Sequence, residues 1–184
     1  RRVHMVGLHE GDMMRLGIIG GTGLVSMNLD ERFGEVGIRV VRKDSISATT
    51  PYGSVPLTCI ILDDKGVEKE LIFLQRHHNE SGHGCPPHRI NHRANMMAMN
   101  DAHLDGIMAV CSVGTLDVSF PPGKVALAEQ YIDFTGIEST FHDDESVFTS
   151  ATTPFDVSMN KQLDAALRES QGFDDQEKMA YTYW

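Results

Sequence analysis

Three short segments carry residues whose types and spacing could do chemistry, and each follows an apolar run. The first is Gly20-Gly-Thr-Gly23, directly after Arg15–Ile19. Consecutive glycines let successive backbone N–H groups converge on one anion, and Thr22 adds a hydroxyl donor. The same tetrapeptide also fits a plain tight turn or the opening of a dinucleotide-binding fold. In that last case the third spaced glycine would fall at Ser26, and Asp44 would stand near the ribose. None of Tyr52, Tyr131 or Tyr181 begins the Tyr-x-x-x-Lys pair that a reductase of this kind would use.

The second segment is Arg76-His77-His78, released at the end of Leu71–Gln75. A guanidinium fork beside an imidazole N–H suits a phosphate oxygen, although the same residues also make an ordinary solvated loop edge. The third is Ser112 with Gly114-Thr115, after Ile107–Cys111, whose hydroxyls and backbone N–H groups could close an anion site from the other side. Ligands of open α/β sheets gather where strands end, so three such features reinforce one another. The same region also carries residues of metal-ligating type. His83-x-Cys85-x-x-His88-x-x-x-His92 offers four nitrogen or sulfur ligands of the kind zinc accepts. Two prolines separate Cys85 from His88, however, and His92 belongs to a helix start, so a His-rich or substrate-binding loop is expected and a metal is not.

The elements that must position these residues are legible from periodicity. Arg15–Ile19 predicts a buried strand and Val36–Val41 a second. Pro56–Asp63 and Glu68–Leu74 flank Asp64-Lys-Gly66, a hairpin turn with a glycine available for positive φ. Residues 76–90 hold four histidines, two glycines and Pro86-Pro87 and predict a loop. Asn91 caps a helix to about His103, Gly106 ends it, and Ile107–Cys111 is another strand. Pro121-Pro-Gly123 turns the chain towards Val125–Ala128. Thr135–Thr153 is polar and without period. Asp156 or Ser158 caps a helix that stops at Gly172, and Lys178–Trp184 predicts a final aromatic strand. Strands broken by helices, with an early hairpin among them, predict one α/β domain built on a mixed central sheet flanked by helices. Residues 1–13 are set aside as an arm or tag, leaving 14–184 as the domain.

Composition narrows the classes. The chain has 184 residues, 16 basic and 26 acidic side chains and a formal charge of −10. Apolar residues at 41% with charged residues at 23% describe a globular chain able to bury about two-thirds of its unfolded surface. An acidic balance argues against a nucleic-acid partner, and no apolar run approaches the ~20 residues of a membrane span. Cys59, Cys85 and Cys111 are odd in number and lack Cys-x-x-Cys spacing, which suits free thiols in a reducing cytoplasm.

An ordered series of blocks then becomes specific: Gly17–Leu24, Thr50-Pro-Tyr-Gly53, Arg76-His77, Pro87–Asn95, Val113-Gly-Thr-Leu116, Pro122-Gly123, Ile132-Asp-Phe-Thr135 and Thr140-Phe141. Together they resemble the methylthioadenosine phosphorylase branch of the trimeric purine nucleoside phosphorylases, over Arg15 to Trp184. The resemblance implies phosphorolysis: phosphate attacks C1′ of a purine nucleoside, most simply 5′-methylthioadenosine, releasing the base and a 5-methylthioribose 1-phosphate. It implies Thr22, Arg76, His77 and Ser112 as phosphate contacts and Gly21, Cys111, Val113 and Gly114 as weaker substrate contacts. It also implies a homotrimer in which Phe141 and His142 could serve a neighbouring subunit's site. Inorganic phosphate is a co-substrate, and no cofactor or metal is implied.

The chain departs from the family pattern at several positions. His78 stands for a glycine, His92 for a tyrosine, Ser112 for a common alanine and Lys124 for a common aspartate. Two extra residues lie between His77 and His83. The acid that would protonate the leaving purine belongs to a C-terminal portion expected beyond Trp184, so no catalytic residue is named. Methylthioinosine, inosine and guanosine remain as alternative substrates. An NAD(P)-dependent reductase built on Gly20–Gly23 is the alternative from another class, and a non-catalytic purine- or phosphate-binding protein is a third.

Overall fold

The computed structural model describes residues 13–21, 24, 28–79, 83–137, 140–171 and 180–183. Of the sequence expectations, Thr22, the arm up to residue 12, the helix stop at Gly172 and Trp184 lie outside them. The chain divides into two compact units, one through Val113 and the other from Gly114.

The first unit is a five-stranded sheet. Its strands are β1 (Met14–Gly20), β2 (Arg39–Thr50), β3 (Gly53–Asp64), β4 (Val67–Gln75) and β5 (Gly106–Val110), in the order β2-β3-β4-β1-β5. The β2–β3 and β3–β4 pairs are antiparallel, whereas β1 runs parallel to both β4 and β5. The sheet is therefore mixed and α/β in class, as the hairpin signal predicts. The β3–β4 turn is the expected one: Lys65 (φ 54°) and Gly66 (φ 89°) both lie in the left-handed region, as a two-residue primed hairpin turn requires. Asp63 Oδ1 accepts from the Gly66 N–H at 2.6 Å and holds that turn.

Side chains alternate along the strands and bury both faces. Val55, Leu57, Cys59 and Ile61 of β3 and Ile72 and Leu74 of β4 face Ala94, Ala98 and Met99 of helix α2 (His92–Asp101). Ile60, Leu62 and Leu71 take the other face, with Leu29 and Phe33 of the short helix α1 (Leu29–Glu35) packed against them. Gly17 shows why α2 can approach β1 so closely. A Cβ there would stand 2.5 Å from Met99 Cε and 2.6 Å from Leu104 Cδ1.

Two expectations are corrected. The strand placed at Val36–Val41 begins at Arg39 and runs on to Thr50, and Val36 instead caps α1. Helix α1 itself has no sequence forecast, because seven residues with one glycine give too few turns for a period to register. The length of β2 is hidden because it is an edge strand. Arg42, Lys43 and Ser45 are exposed, and only Thr50 is fully buried. Edge strands tolerate such polar runs.

The second unit has the parallel pair β6 (Leu127–Tyr131) and β7 (Ala180–Tyr183), and helix α3 (Val157–Gln171). Strand β6 begins and ends later than the segment Val125–Ala128 anticipates. Asp156 is the helix cap, its Oδ1 accepting from the Met159 N–H at 2.6 Å. The Gln171 side chain ties α3 to the main chain of Val125 by accepting from its N–H and donating to its carbonyl. Residues 140–150 form no helix or strand.

Candidate active site

The three parallel strands end level with one another. Gly20 is the register partner of Gln75 on one side and of Val110 on the other. The next residue of each strand, Gly21, Arg76 and Cys111, therefore leaves the sheet at one edge. Two of the three proposed anion segments meet there directly. The Arg76 N–H donates to the Gly20 carbonyl at 3.1 Å, and Arg76 Nη2 lies 3.5 Å from where a Cβ on Gly21 would stand. A glycine at 21 thus leaves the guanidinium lying over bare backbone. The third segment enters by register: Cys111 and Ser112 continue β5 past Val110 and are exposed.

Arg76 and His77 are half-buried at the sheet edge. Arg76 Nε donates to His77 Nε2 at 3.4 Å, which leaves the His77 proton on Nδ1 and fixes one imidazole against one guanidinium. A guanidinium keeps its charge throughout the physiological range, and its remaining N–H groups form a planar fork suited to a tetrahedral oxyanion. Fixed donors at a strand edge bind an anion without reorganising, the kind of preorganisation that also stabilises charge developing in a reaction.

The loop beyond this pair is folded back on itself. The Cys85 N–H donates to the His77 carbonyl at 3.4 Å and Cys85 Sγ donates to the His78 carbonyl at 3.1 Å. The Asn79 N–H donates to the His83 carbonyl, while Asn79 Oδ1 accepts from the His83 N–H. His83 and His88 are exposed, and His92 opens α2 from an exposed position. Among the described residues no three His, Cys, Asp or Glu side chains are placed to hold a metal ion. Among the loop's described residues the buried side chain is His78, 6% exposed, which the sequence places in the Arg76-His77-His78 segment and marks as a departure from the family pattern without showing its burial. Its Nε2 lies 3.0 Å from Oδ1 of the buried Asn95, and its Nδ1 lies 3.0 Å from the Asn79 carbonyl.

Helix α2 supports the same edge from below. Asn91 caps it through the Ala94 N–H at 3.0 Å, as the sequence predicts. The Asn91 Nδ2 group donates to the Tyr52 carbonyl at 2.7 Å, and Arg93 lies 5.8 Å from the Tyr52 ring centre. The Thr50-Pro-Tyr-Gly53 turn and the Pro87–Asn95 block, far apart in sequence, therefore meet. A second polar group lies within the sheet. Glu70 accepts from Arg15 Nε at 2.5 Å and from Cys59 Sγ at 3.0 Å. Burial pushes the Glu70 carboxyl up, but these two bonds outweigh it and hold the group below the ordinary glutamate range. Burial and the Glu70 carboxylate together push the Cys59 thiol up to about 11.

The remaining candidates belong to the second unit or its boundary. Val113 is 55% exposed and closes the first unit, and Gly114 opens the second with open space where a Cβ would be. Phe141 is 41% exposed, and the His142 N–H donates to Thr140 Oγ1 at 2.9 Å within the irregular 140–150 segment.

The fold and this edge define an α/β protein in which Gly21, Arg76 and Cys111 leave the sheet together at the C-terminal ends of three parallel strands. The model of the Phosphorylase superfamily matches residues 15–180, and the chain belongs to that family. It is 36% identical over 148 residues to a probable 6-oxopurine nucleoside phosphorylase of Dictyoglomus turgidum, covering 77% of this chain and 49% of that one. It is 30% identical over 171 residues to an S-methyl-5′-thioadenosine phosphorylase of Thermococcus kodakarensis, covering 92% and 60%. Among solved structures, a methylthioadenosine phosphorylase sourced from an antarctic soil metagenomic library superposes with a TM-score of 0.68 at 25% identity, over 93% of this chain and 54% of that chain. The chain spans about half the length of the first of these relatives.

Proposed function

We propose that this chain carries the phosphate-binding part of a purine nucleoside phosphorylase, with residues 14–184 serving as one functional domain. The observation that carries the reading is the juxtaposition of Arg76, His77 and the bare Gly21 backbone at the ends of β1 and β4. Phosphorolysis needs an anion held beside a sugar carbon that becomes oxocarbenium-like as its bond to the base breaks. Arg76 supplies the charge, His77 Nδ1–H a directed donor, and Gly21, Thr22 and Ser112 the flanking donors. Phosphate is then both nucleophile and electrostatic partner, so the reaction calls for no cofactor and no metal Lewis acid. Cys111, Val113 and Gly114 are the weaker substrate contacts.

The favoured nucleoside is 5′-methylthioadenosine, yielding adenine and 5-methylthioribose 1-phosphate. The names of the Dictyoglomus and Thermococcus relatives support a purine nucleoside in general and keep 6-oxopurine nucleosides as the alternative. Thiols at Cys59, Cys85 and Cys111 outside any disulfide suit a cytoplasmic enzyme, and no helix among the described residues is long and apolar enough to cross a membrane. Assembly as a homotrimer, with Phe141 and His142 serving a neighbouring site, completes the proposal.

The test is release of free base from methylthioadenosine or inosine, measured with and without inorganic phosphate. Release that requires phosphate and survives exhaustive chelation is the expected result. An absorbance change that requires NAD(P) would replace the proposal with the reductase reading. Phosphate binding without turnover would reduce it to a binding protein. Sedimentation at micromolar concentration checks the trimer, since a monomer that still turns over nucleoside excludes it.

A further inference from the structure

We infer that His78 and Asn95 are a positioning pair, through which helix α2 sets where Arg76 and His77 stand and hence how tightly the rim holds phosphate. The inference rests on the anion-site reading given above and adds two residues that do not themselves belong to it. The backbone of the Arg76-His77-His78 turn is fixed at three points. The Arg76 N–H is bonded to Gly20, the His77 carbonyl accepts from the Cys85 N–H, and the His78 carbonyl accepts from Cys85 Sγ. These bonds hold the chain path through backbone atoms and Cys85. His78 adds a side-chain tie to helix α2, its imidazole meeting Asn95 from the turn that carries Arg76 and His77.

The ring is 6% exposed, with Nε2 3.0 Å from the Asn95 side-chain amide and Nδ1 3.0 Å from the Asn79 carbonyl. Asn95 is itself 4% exposed, one residue from Ala94 in a helix whose Ala94, Ala98 and Met99 are packed on β3 and β4. A polar side chain buried on a rigid helix is a fixed reference point, and a ligand-binding residue next to a partner bonded to that point inherits its precision. A buried imidazole deprived of its partner also pays a desolvation cost that an exposed one would not, so the pair holds in only one arrangement.

The experiment titrates the purified chain with inorganic phosphate by calorimetry, comparing wild type with His78→Ala, Asn95→Ala, the double variant and Arg76→Ala. Each single change at 78 or 95 should weaken phosphate about three- to tenfold. The double variant should be no weaker than the worse single one, because both remove the same constraint. His78→Gln, which keeps an amide able to reach Asn95, should recover part of the loss. Leu62→Ala, a core truncation on the sheet face away from α2, is the control for plain destabilisation: it should lower Tm without weakening phosphate. Losses that multiply in the double variant, or that Leu62→Ala reproduces at equal Tm, overturn the pair. Wild-type affinity at His78→Ala, or at Asn95→Ala should the His78 variant not fold, overturns it while leaving the anion site standing, provided Arg76→Ala has lost phosphate. Phosphate binding absent from wild type, or indifferent to Arg76→Ala, removes the anion site and the pair together.

Discussion

Gly20 and Arg76, 56 positions apart, are joined by a backbone hydrogen bond of 3.1 Å that continues the β1–β4 ladder one step past its last register pair. The backbone N–H of Arg76 is thus tied to the sheet itself. A guanidinium placed in this way loses little on binding an anion, since its backbone is already ordered.

Arg76→Ala should therefore weaken phosphate roughly ten- to a hundredfold, the value of a lost charge-assisted contact of about 1.5–3 kcal/mol. The apparent KM for nucleoside should move much less. Steady-state kinetics with each substrate varied in turn separates the two, and an unchanged KM for phosphate would remove Arg76 from the site.

Glycines 17 and 21 lie on the same stretch of chain but should respond oppositely to alanine. At Gly17 the new methyl meets Met99 and Leu104 inside 2.7 Å, and Met99 is fully buried, so overpacking should cost about 1–3 kcal/mol. At Gly21 the nearest side-chain atom is 3.5 Å away, an ordinary contact. Gly21→Ala should leave the thermal midpoint nearly unchanged while crowding the ground between backbone and guanidinium, where phosphate would sit. Calorimetric unfolding paired with phosphate titration reads both effects, and a Gly21 variant that unfolds early would contradict the assignment.

The positions of these residues were differently legible. Strands β1, β3 and β4 follow from apolar runs because central strands of a sheet covered on both faces must be apolar, and the cap at Asn91 follows from one side-chain type. Strand β5 also reads as an apolar run, although it lies at the sheet edge with Ile107 and Val110 exposed. That strand ends carry Arg76 and Ser112 was equally visible. Helix α1 and most of β2 were not, since a seven-residue helix and a polar edge strand leave no period. The role of His78 was hidden for another reason. Whether a histidine in a Gly- and Pro-rich segment is buried depends on a partner 17 residues away in sequence, Asn95, and no local pattern announces it.

Acid should weaken the first unit through Glu70. Its carboxyl titrates below the ordinary glutamate value when folded and near ~4.3 when unfolded. Its stabilising contribution is therefore complete above about pH 4.3 and fades as pH falls through the depressed folded value. Glu70→Gln should flatten the dependence of stability on pH between about 5 and 3 in denaturant titrations. A profile as steep as wild type would mean that other carboxylates dominate.

The three thiols should react in a fixed order. Cys111 is exposed, Cys85 is partly covered and donates to the His78 carbonyl, and Cys59 is buried with its pKa pushed up to about 11. Because the thiolate is the reactive form, iodoacetamide near pH 8 should label Cys111 first and Cys59 only on unfolding. Peptide mass spectrometry over time gives the order, and early labelling of Cys59 would contradict its burial.

The arrangement of the sheet carries a consequence for how the chain reaches it. Strands β2, β3 and β4 are joined by short turns, so residues 39–75 can zip together through nearby contacts. Strand β1 must instead find β4 across 55 residues, as in the Arg15–Glu70 pair, and Asp105 ahead of β5 across 90. Closing such loops costs chain entropy before any contact rewards it, which delays long-range parallel pairing. If the three-stranded meander forms first and the edge at Gly21 and Arg76 closes last, Ile60→Val should slow folding while Leu16→Ala mainly speeds unfolding, which stopped-flow chevrons read. A nascent chain would then present the meander as a finished scaffold and complete the edge at Gly21 and Arg76 only when β1, which precedes the meander in sequence, is captured.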